Sequence, residues 1–173
     1  MSKLIILDRD GVINQDSEHY VKTPDQWQAI EKSPEAIAKL NNLGFKVAVA
    51  TNQSGIARGY FSKHTLNAIH EKMQHTLQKH GAVIHKIAFC PHHPDENCAC
   101  RKPKPGMLHD LMAHFQIPAH HTWMIGDRLT DVQAALFAGV HPILVGPHRS
   151  ITKTPKNIPY YPNLAAFVET LDA

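Results

Sequence analysis

Five short apolar runs punctuate the chain: Leu4 to Leu7, Lys46 to Ala50, Ile84 to Phe89, Thr122 to Ile125 and Pro142 to Val145. Each has the length of a buried strand, too short for a helix. Between them the apolar residues change period. Ser33 followed by Pro34 reads as an N-cap and a first-turn proline, and Ile37 and Leu40 continue at helical spacing until Gly44 stops the helix. Leu66, Ile69, Met73 and Leu77 mark the core face of a longer helix that starts after Ser62 and ends at Gly81. Leu108, Leu111, Met112 and Phe115 mark a third, beginning near Pro105. Val132, Ala135 and Leu136 mark a fourth, ending at Gly139, and a short last helix is predicted over 163–171. Strands alternating with helices of this length predict βαβ units, hence an α/β fold with a doubly wound parallel sheet and helices on both faces. The proline-rich stretch from Pro147 to Pro162 reads as a surface crossover.

Composition narrows the class. A chain of 173 residues fits one domain, 1–173, long enough for a real core. Apolar content of 43% and charged content of 19% are those of an ordinary globular protein. No apolar run approaches the ~20 residues of a membrane span, and no basic segment followed by an apolar one opens the chain, so a cytoplasmic protein without a membrane partner is expected. The net charge of +3 comes from scattered Lys and Arg rather than a stripe, which gives little support to a nucleic-acid partner. No obvious dimer face stands out, and a monomer is the expectation.

The candidate chemistry lies where strands end. Asp8 and Asp10 leave the first strand at its carboxyl end, where open α/β sheets hold their ligands. Two close carboxylates repel unless a metal, a cation or a shared proton compensates. The second strand ends in Thr51-Asn52-Gln53-Ser54 and the fourth in Gly126-Asp127-Arg128, with Asp131 four residues beyond Asp127. Parallel strands bring these ends to one edge, within reach of Lys102 and Lys104. That set suits phosphoryl transfer through an aspartyl-phosphate. Asp8 serves as carboxylate nucleophile, and Asp8 and Asp127 hold Mg²⁺ through hard oxygen ligands. Asp10 acts as general acid and then base. Thr51 and a lysine bind and neutralise the phosphoryl oxygens. Arg101 and Arg128 exceed what one phosphoryl group needs; they either form an ion pair, for instance with Asp131, or fix a second phosphate through paired hydrogen bonds.

Cys90, Cys98 and Cys100 fall within eleven residues, and an odd number argues for metal rather than a disulfide framework. Cys90-Pro-His92 and Cys98-Ala-Cys100 form two pairs separated by five residues, so a loop over 90–100 can present three thiolates and an imidazole to a structural Zn²⁺, with His93 as a substitute for His92. The remaining histidines, including His70, His75, His80, His120 and His121, read as solvated helix and loop positions.

DRDGV, TNQSG, RKPKPG and IGDRLTD, in that order, resemble the four motifs of the haloacid dehalogenase superfamily of phosphatases, across nearly the whole chain. CPHHP and CACRKPKPGM together with TNQSGIARGYF are similar to its histidinol-phosphatase branch. The resemblance implies a capless, Mg²⁺-dependent enzyme of Rossmann-like fold with Asp8, Asp10 and Asp127 at the magnesium. It favours Lys102 over Lys104 as the phosphate-stabilising lysine and His92 over His93 as the zinc ligand. It implies substrate contacts from Asp16, His19, Tyr20, Asn52, Gln53 and Ser54, besides Arg101 and Arg128. The implied substrate is a small sugar phosphate, a heptose 1,7-bisphosphate in its β anomer, losing the 7-phosphate. Histidinol phosphate hydrolysis and a non-catalytic sugar-phosphate-binding zinc module are the alternatives.

Overall fold

The computed structural model describes residues 1–147 and 155–171. Its strands are β1 (Leu4–Leu7), β2 (Lys46–Asn52), β3 (Lys86–Cys90), β4 (Thr122–Gly126), β5 (His141–Val145) and β6 (Tyr160–Tyr161). They form one six-stranded sheet of order β3-β2-β1-β4-β5-β6, with every pairing parallel. The helices are α1 (Ser33–Asn42), α2 (Lys63–Gln78), α3 (Gly106–Phe115), α4 (Leu129–Ala138) and α5 (Leu164–Glu169).

The side-chain alternation of a strand divides the core in two. Ile5, Leu7, Val47, Val49 and Ile125 pack with the apolar faces of α1, α2 and α5. Leu4, Ile6, Ala48, Ala50 and Met124 pack with α3 and α4 on the other side. Both faces are therefore covered, which is why the strands read as unbroken apolar runs. Fully burying each such Leu or Ile contributes about 1.5–3 kcal/mol. The chain winds outward from β1 to β3 and then returns to place β4 on the opposite side of β1. The carboxyl ends of β1 and β4 thus flank the crevice at which the strand order reverses, the usual ligand position in such sheets.

Between β1 and β2 the described chain forms one 3-10 turn, Pro24–Gln26, and α1; between β2 and β3 it forms α2. No inserted cap is found among the described residues. Nor is any helix among them long and apolar enough to cross a membrane.

Two local expectations are corrected. Ser33 is the first residue of α1 and not its cap: Lys32 takes the N-cap position at φ 73°, while the buried Ser33 hydroxyl donates to the Val12 carbonyl at 2.8 Å. Ser62 does cap α2, its hydroxyl oxygen accepting from the Thr65 N–H at 3.1 Å. The proline-rich crossover contains β6, which adds beside Leu144 and Val145. Residues 148–154 of that crossover lie outside the described residues.

Candidate active site

Asp8 begins the loop after β1, and its carboxylate faces the ammonium of Lys102, with Nζ 3.0 Å from Oδ1. The same Nζ lies 2.6 Å from Asp131 Oδ1 and donates to the Ala50 carbonyl at 2.7 Å. Lys102 is held there by its own backbone: Asn52 accepts from its N–H at 3.0 Å and donates to its carbonyl at 3.1 Å. Lys104 instead points into the cysteine loop, donating to Asn97 Oδ1 and the Cys98 carbonyl at 2.7 Å each. Burial alone would lower the Lys102 pKa, but the Asp131 and Asp8 charges hold it above its ordinary value.

Asp8, Asp127 and Asp131 bring carboxylate oxygens within 4.8 Å of one another. Three carboxylates against one ammonium leave uncompensated negative charge. Burial, and then the Asp131 charge, push Asp8 well up from the ordinary carboxylate range and Asp127 up to about 6. Asp127 Oδ1 is buried without a hydrogen-bond partner, a state that is costly unless a ligand satisfies it. Excess negative charge, hard oxygen donors and an orphaned oxygen all fit a divalent cation such as Mg²⁺. Gly11 is required beside it, since at φ +83° an added Cβ would come 2.0 Å from Asp127 Oδ2.

Asp10, expected as a further magnesium ligand, does not bring its carboxylate into that cluster. Its Oδ1 accepts from Arg9 Nε at 2.9 Å, Arg9 Nη2 at 2.7 Å and Asn14 Nδ2 at 2.9 Å. Its Oδ2 meets Gln53 Nε2 at 3.3 Å. Burial raises the Asp10 pKa, but the Arg9 charge and these hydrogen bonds outweigh it and leave the value lowered. Gln53 also donates to Thr51 Oγ1 at 2.9 Å, so the Thr51 hydroxyl proton stays available to a phosphoryl oxygen. His70, read as solvated, is buried on α2 with Nε2 3.1 Å from Arg9 Nη1. His75, His80 and His120 are exposed and His121 half-buried.

These groups open into a cavity of about 410 Å³ whose lining includes Asp8, Asp10, Asp16, Tyr20, Thr51, Asn52, Gln53, Ser54, Arg101, Lys102, Arg128 and Asp131. His19 is exposed and is not part of that lining. Asn52 reaches the wall, but its amide group is committed to the Lys102 backbone. Arg128 pairs with Asp16 at 3.0 Å across the mouth; Asp131, the partner expected for the arginines, is taken by Lys102. Arg101 Nη1 is buried with no partner. Ser17, Glu18, Arg58, Leu129 and Thr130 also line the cavity and were not singled out by the sequence. Asp131 carried a usable signal, because it lies four residues beyond Asp127 in the first turn of the helix that follows β4.

In the loop that leaves β3, Cys90, His92, Cys98 and Cys100 converge, each offering one ligand atom within 4.8 Å of the others. The Sγ atoms lie 2.9 to 3.6 Å apart, and His92 Nδ1 is 3.4 Å from Cys90 Sγ and 3.2 Å from Cys100 Sγ. Sulfurs about 2.3 Å from a tetrahedral zinc would be about 3.8 Å apart, so Cys98 lies close to the required distance from both other cysteines, while Cys90 and Cys100 would have to part. His93 is engaged elsewhere, accepting from the Asp95 N–H at 3.1 Å.

Residues 99–165 match the family described as HAD-hydrolase-like. The chain is 46% identical, over 98% of its length and 99% of the relative's, to the D-glycero-beta-D-manno-heptose-1,7-bisphosphate 7-phosphatase of Pseudomonas putida. A crystal structure of D,D-heptose 1,7-bisphosphate phosphatase from B. bronchiseptica, complexed with magnesium and phosphate, superposes with a TM-score of 0.93 at 47% identity, covering 97% of each chain. The corresponding enzyme from Burkholderia thailandensis gives a TM-score of 0.75 at 36% identity, again over 97% of each chain.

Proposed function

The chain belongs to the haloacid dehalogenase superfamily, in its heptose-1,7-bisphosphate 7-phosphatase branch, and from that membership we propose how its residues remove the 7-phosphate of D-glycero-β-D-manno-heptose 1,7-bisphosphate. The products are the heptose 1-phosphate and inorganic phosphate. The observation that carries the assignment of roles is the Asp8 carboxylate, fixed 3.0 Å from Lys102 at the switch point of the sheet.

Asp8 attacks the phosphorus of the 7-phosphate as a carboxylate nucleophile, and the bond from phosphorus to the C7 oxygen breaks. Asp10 gives a proton to the departing oxygen. In the second half-reaction Asp10 takes a proton from the water that attacks the aspartyl-phosphate, which frees phosphate and restores Asp8. Lys102 and the Thr51 hydroxyl balance the charge on the phosphoryl oxygens. Mg²⁺, held by Asp8 and Asp127, supplies further neutralisation of the transferring group when bound. The Arg9 charge and the hydrogen bonds that lower the Asp10 pKa favour its base form, the form that takes the proton from water.

Arg101 and Arg128 hold the 1-phosphate at the far side of the cavity; the unpartnered Arg101 Nη1 supports this, and Arg128 has only an exposed carboxylate to release. Cys90, His92, Cys98 and Cys100 hold a structural Zn²⁺ that braces the loop leading into Arg101 and Lys102. A reducing cytoplasm keeps such thiols free for metal.

Phosphorus NMR with Mg²⁺ tests the reading, with both anomers of the bisphosphate and histidinol phosphate offered in parallel. The expected result is loss of the 7-phosphate signal of the β anomer with the 1-phosphate retained. Turnover of histidinol phosphate alone would overturn the substrate assignment.

A further inference from the structure

Arg9 stands between the two aspartates of the first motif, with its guanidinium fully buried at 0% exposure. All three of its guanidinium nitrogens are engaged: Nε and Nη2 on Asp10 Oδ1, and Nη1 on His70 Nε2. The pattern on Asp10 is lopsided. Oδ1 accepts three hydrogen bonds, two from Arg9 and one from Asn14, whereas Oδ2 has one long contact with Gln53. An oxygen with three donors pointed at it has no place for a proton. Resting on the acid and base role given above to Asp10, we propose that Arg9 and His70 are positioning residues that fix the rotation of the Asp10 carboxyl, so that Oδ2 alone carries the proton exchanged with substrate and water. The proton leaves Oδ2 for the C7 oxygen as the phosphorus–oxygen bond breaks, and Oδ2 regains one from the attacking water.

His70 suits this task only as a neutral ring. To accept from Arg9 its Nε2 must hold a lone pair, which places the ring proton on Nδ1. Burial, followed by the Arg9 charge, pushes its pKa down to about 3, so the lone pair is available at neutral pH. The ring is anchored by α2, whose Leu66, Ile69 and Met73 are fully buried on either side of it in sequence. Lys72 ties the same helix to the loop after β1 through the Pro24 and Trp27 carbonyls at 2.7 and 2.8 Å. Arg9 is thus oriented from a helix some sixty residues distant, and a buried guanidinium without His70 would keep its charge pair but lose its fixed angle.

A group that merely fills the core would affect all substrates alike; one that aims a general acid matters most where the leaving group is poor. The test compares kcat/KM, which reports the half-reaction that expels the leaving group, for the heptose bisphosphate and for p-nitrophenyl phosphate, whose aryl oxide needs little protonation. Asp10→Asn sets the reference. His70→Leu, which cannot accept from Arg9, should lose on the order of tenfold or more on the sugar ester and markedly less on the aryl ester. His70→Gln, whose side-chain oxygen can accept, should recover most of that loss. Arg9→Lys keeps the charge without the fork and should repeat the ester selectivity of His70→Leu. Equal losses on both esters in His70→Leu and Arg9→Lys, with Asp10→Asn remaining selective, would overturn the positioning role while leaving the reaction intact. An Asp10→Asn variant without selectivity would overturn the acid role itself.

Discussion

At the scale of single residues the site is a balance of charges that do not cancel by themselves. Asp8 shares Lys102 with Asp131, so the proposed nucleophile is oriented but not neutralised. Replacing it by Asn removes the attacking oxygen while keeping the shape, and turnover should fall on the order of 10⁴-fold or more, measured by phosphate release; a near wild-type rate would refute the covalent route. Arg128→Ala should raise KM for the bisphosphate about tenfold, as expected for a lost charged hydrogen-bond pair, and change KM for a monophosphate far less. Equal changes would reduce Arg128 to its ion pair with Asp16. His70 gives a prediction about stability. Its folded pKa of about 3 lies below the ordinary 6.5, so between these values the unfolded chain binds a proton that the folded one refuses. Stability on its account is full above pH 6.5 and is lost as pH falls toward 3. Urea unfolding at pH 7 and pH 5 should show a larger acid loss in the wild type than in His70→Gln; parallel losses would contradict the buried neutral ring.

Among elements, the cysteine loop between β3 and α3 combines apolar packing, with Cys90 in the core and Cys98 and Cys100 against it, with the ligand cluster proposed for zinc. It makes two short Cys pairs and a 3-10 turn, and it ends at Arg101 and Lys102. Chelation of zinc should raise hydrogen exchange across 91–104 while β1 and β2 stay protected, and activity should fall without recovery on adding Mg²⁺ alone. Unchanged exchange in the loop after metal removal would show that packing suffices. Elements with a repeated pattern were legible in the sequence: the stripe Leu66, Ile69, Met73 and Leu77 lies on the buried face of α2, and Gly139 at φ 74° ends α4. β6 was not legible, because two residues cannot display a period and its only warrant is the edge of β5. Ser33 misled for a related reason: a serine before an apolar stripe looks the same whether its hydroxyl caps the helix or, as here, reaches Val12 across the chain.

Over the whole molecule, the sheet order brings Asp8 to Asp127 and Asp131, more than a hundred residues further along the chain, and folding must bear their repulsion. Millimolar Mg²⁺ should therefore raise Tm by a few degrees, as binding to the folded state alone requires. Asp127→Asn should shrink that Mg²⁺-dependent rise, and an equal rise in both proteins would place the ion elsewhere. The sequence by itself determined the class of fold, the strand-end aspartates and the clustered cysteines, because strand and helix periods and ligand spacings are local and each residue type advertises its chemistry. Only the tertiary structure sent Lys104 into the cysteine loop and Lys102 to Asp8, moved Asp131 from an arginine's partner to the lysine's, and turned His70 from a surface position into the buried neighbour of Arg9. Those outcomes depend on which side chains meet across separate elements, and a spacing along the chain carries no information about an angle between two helices and a sheet.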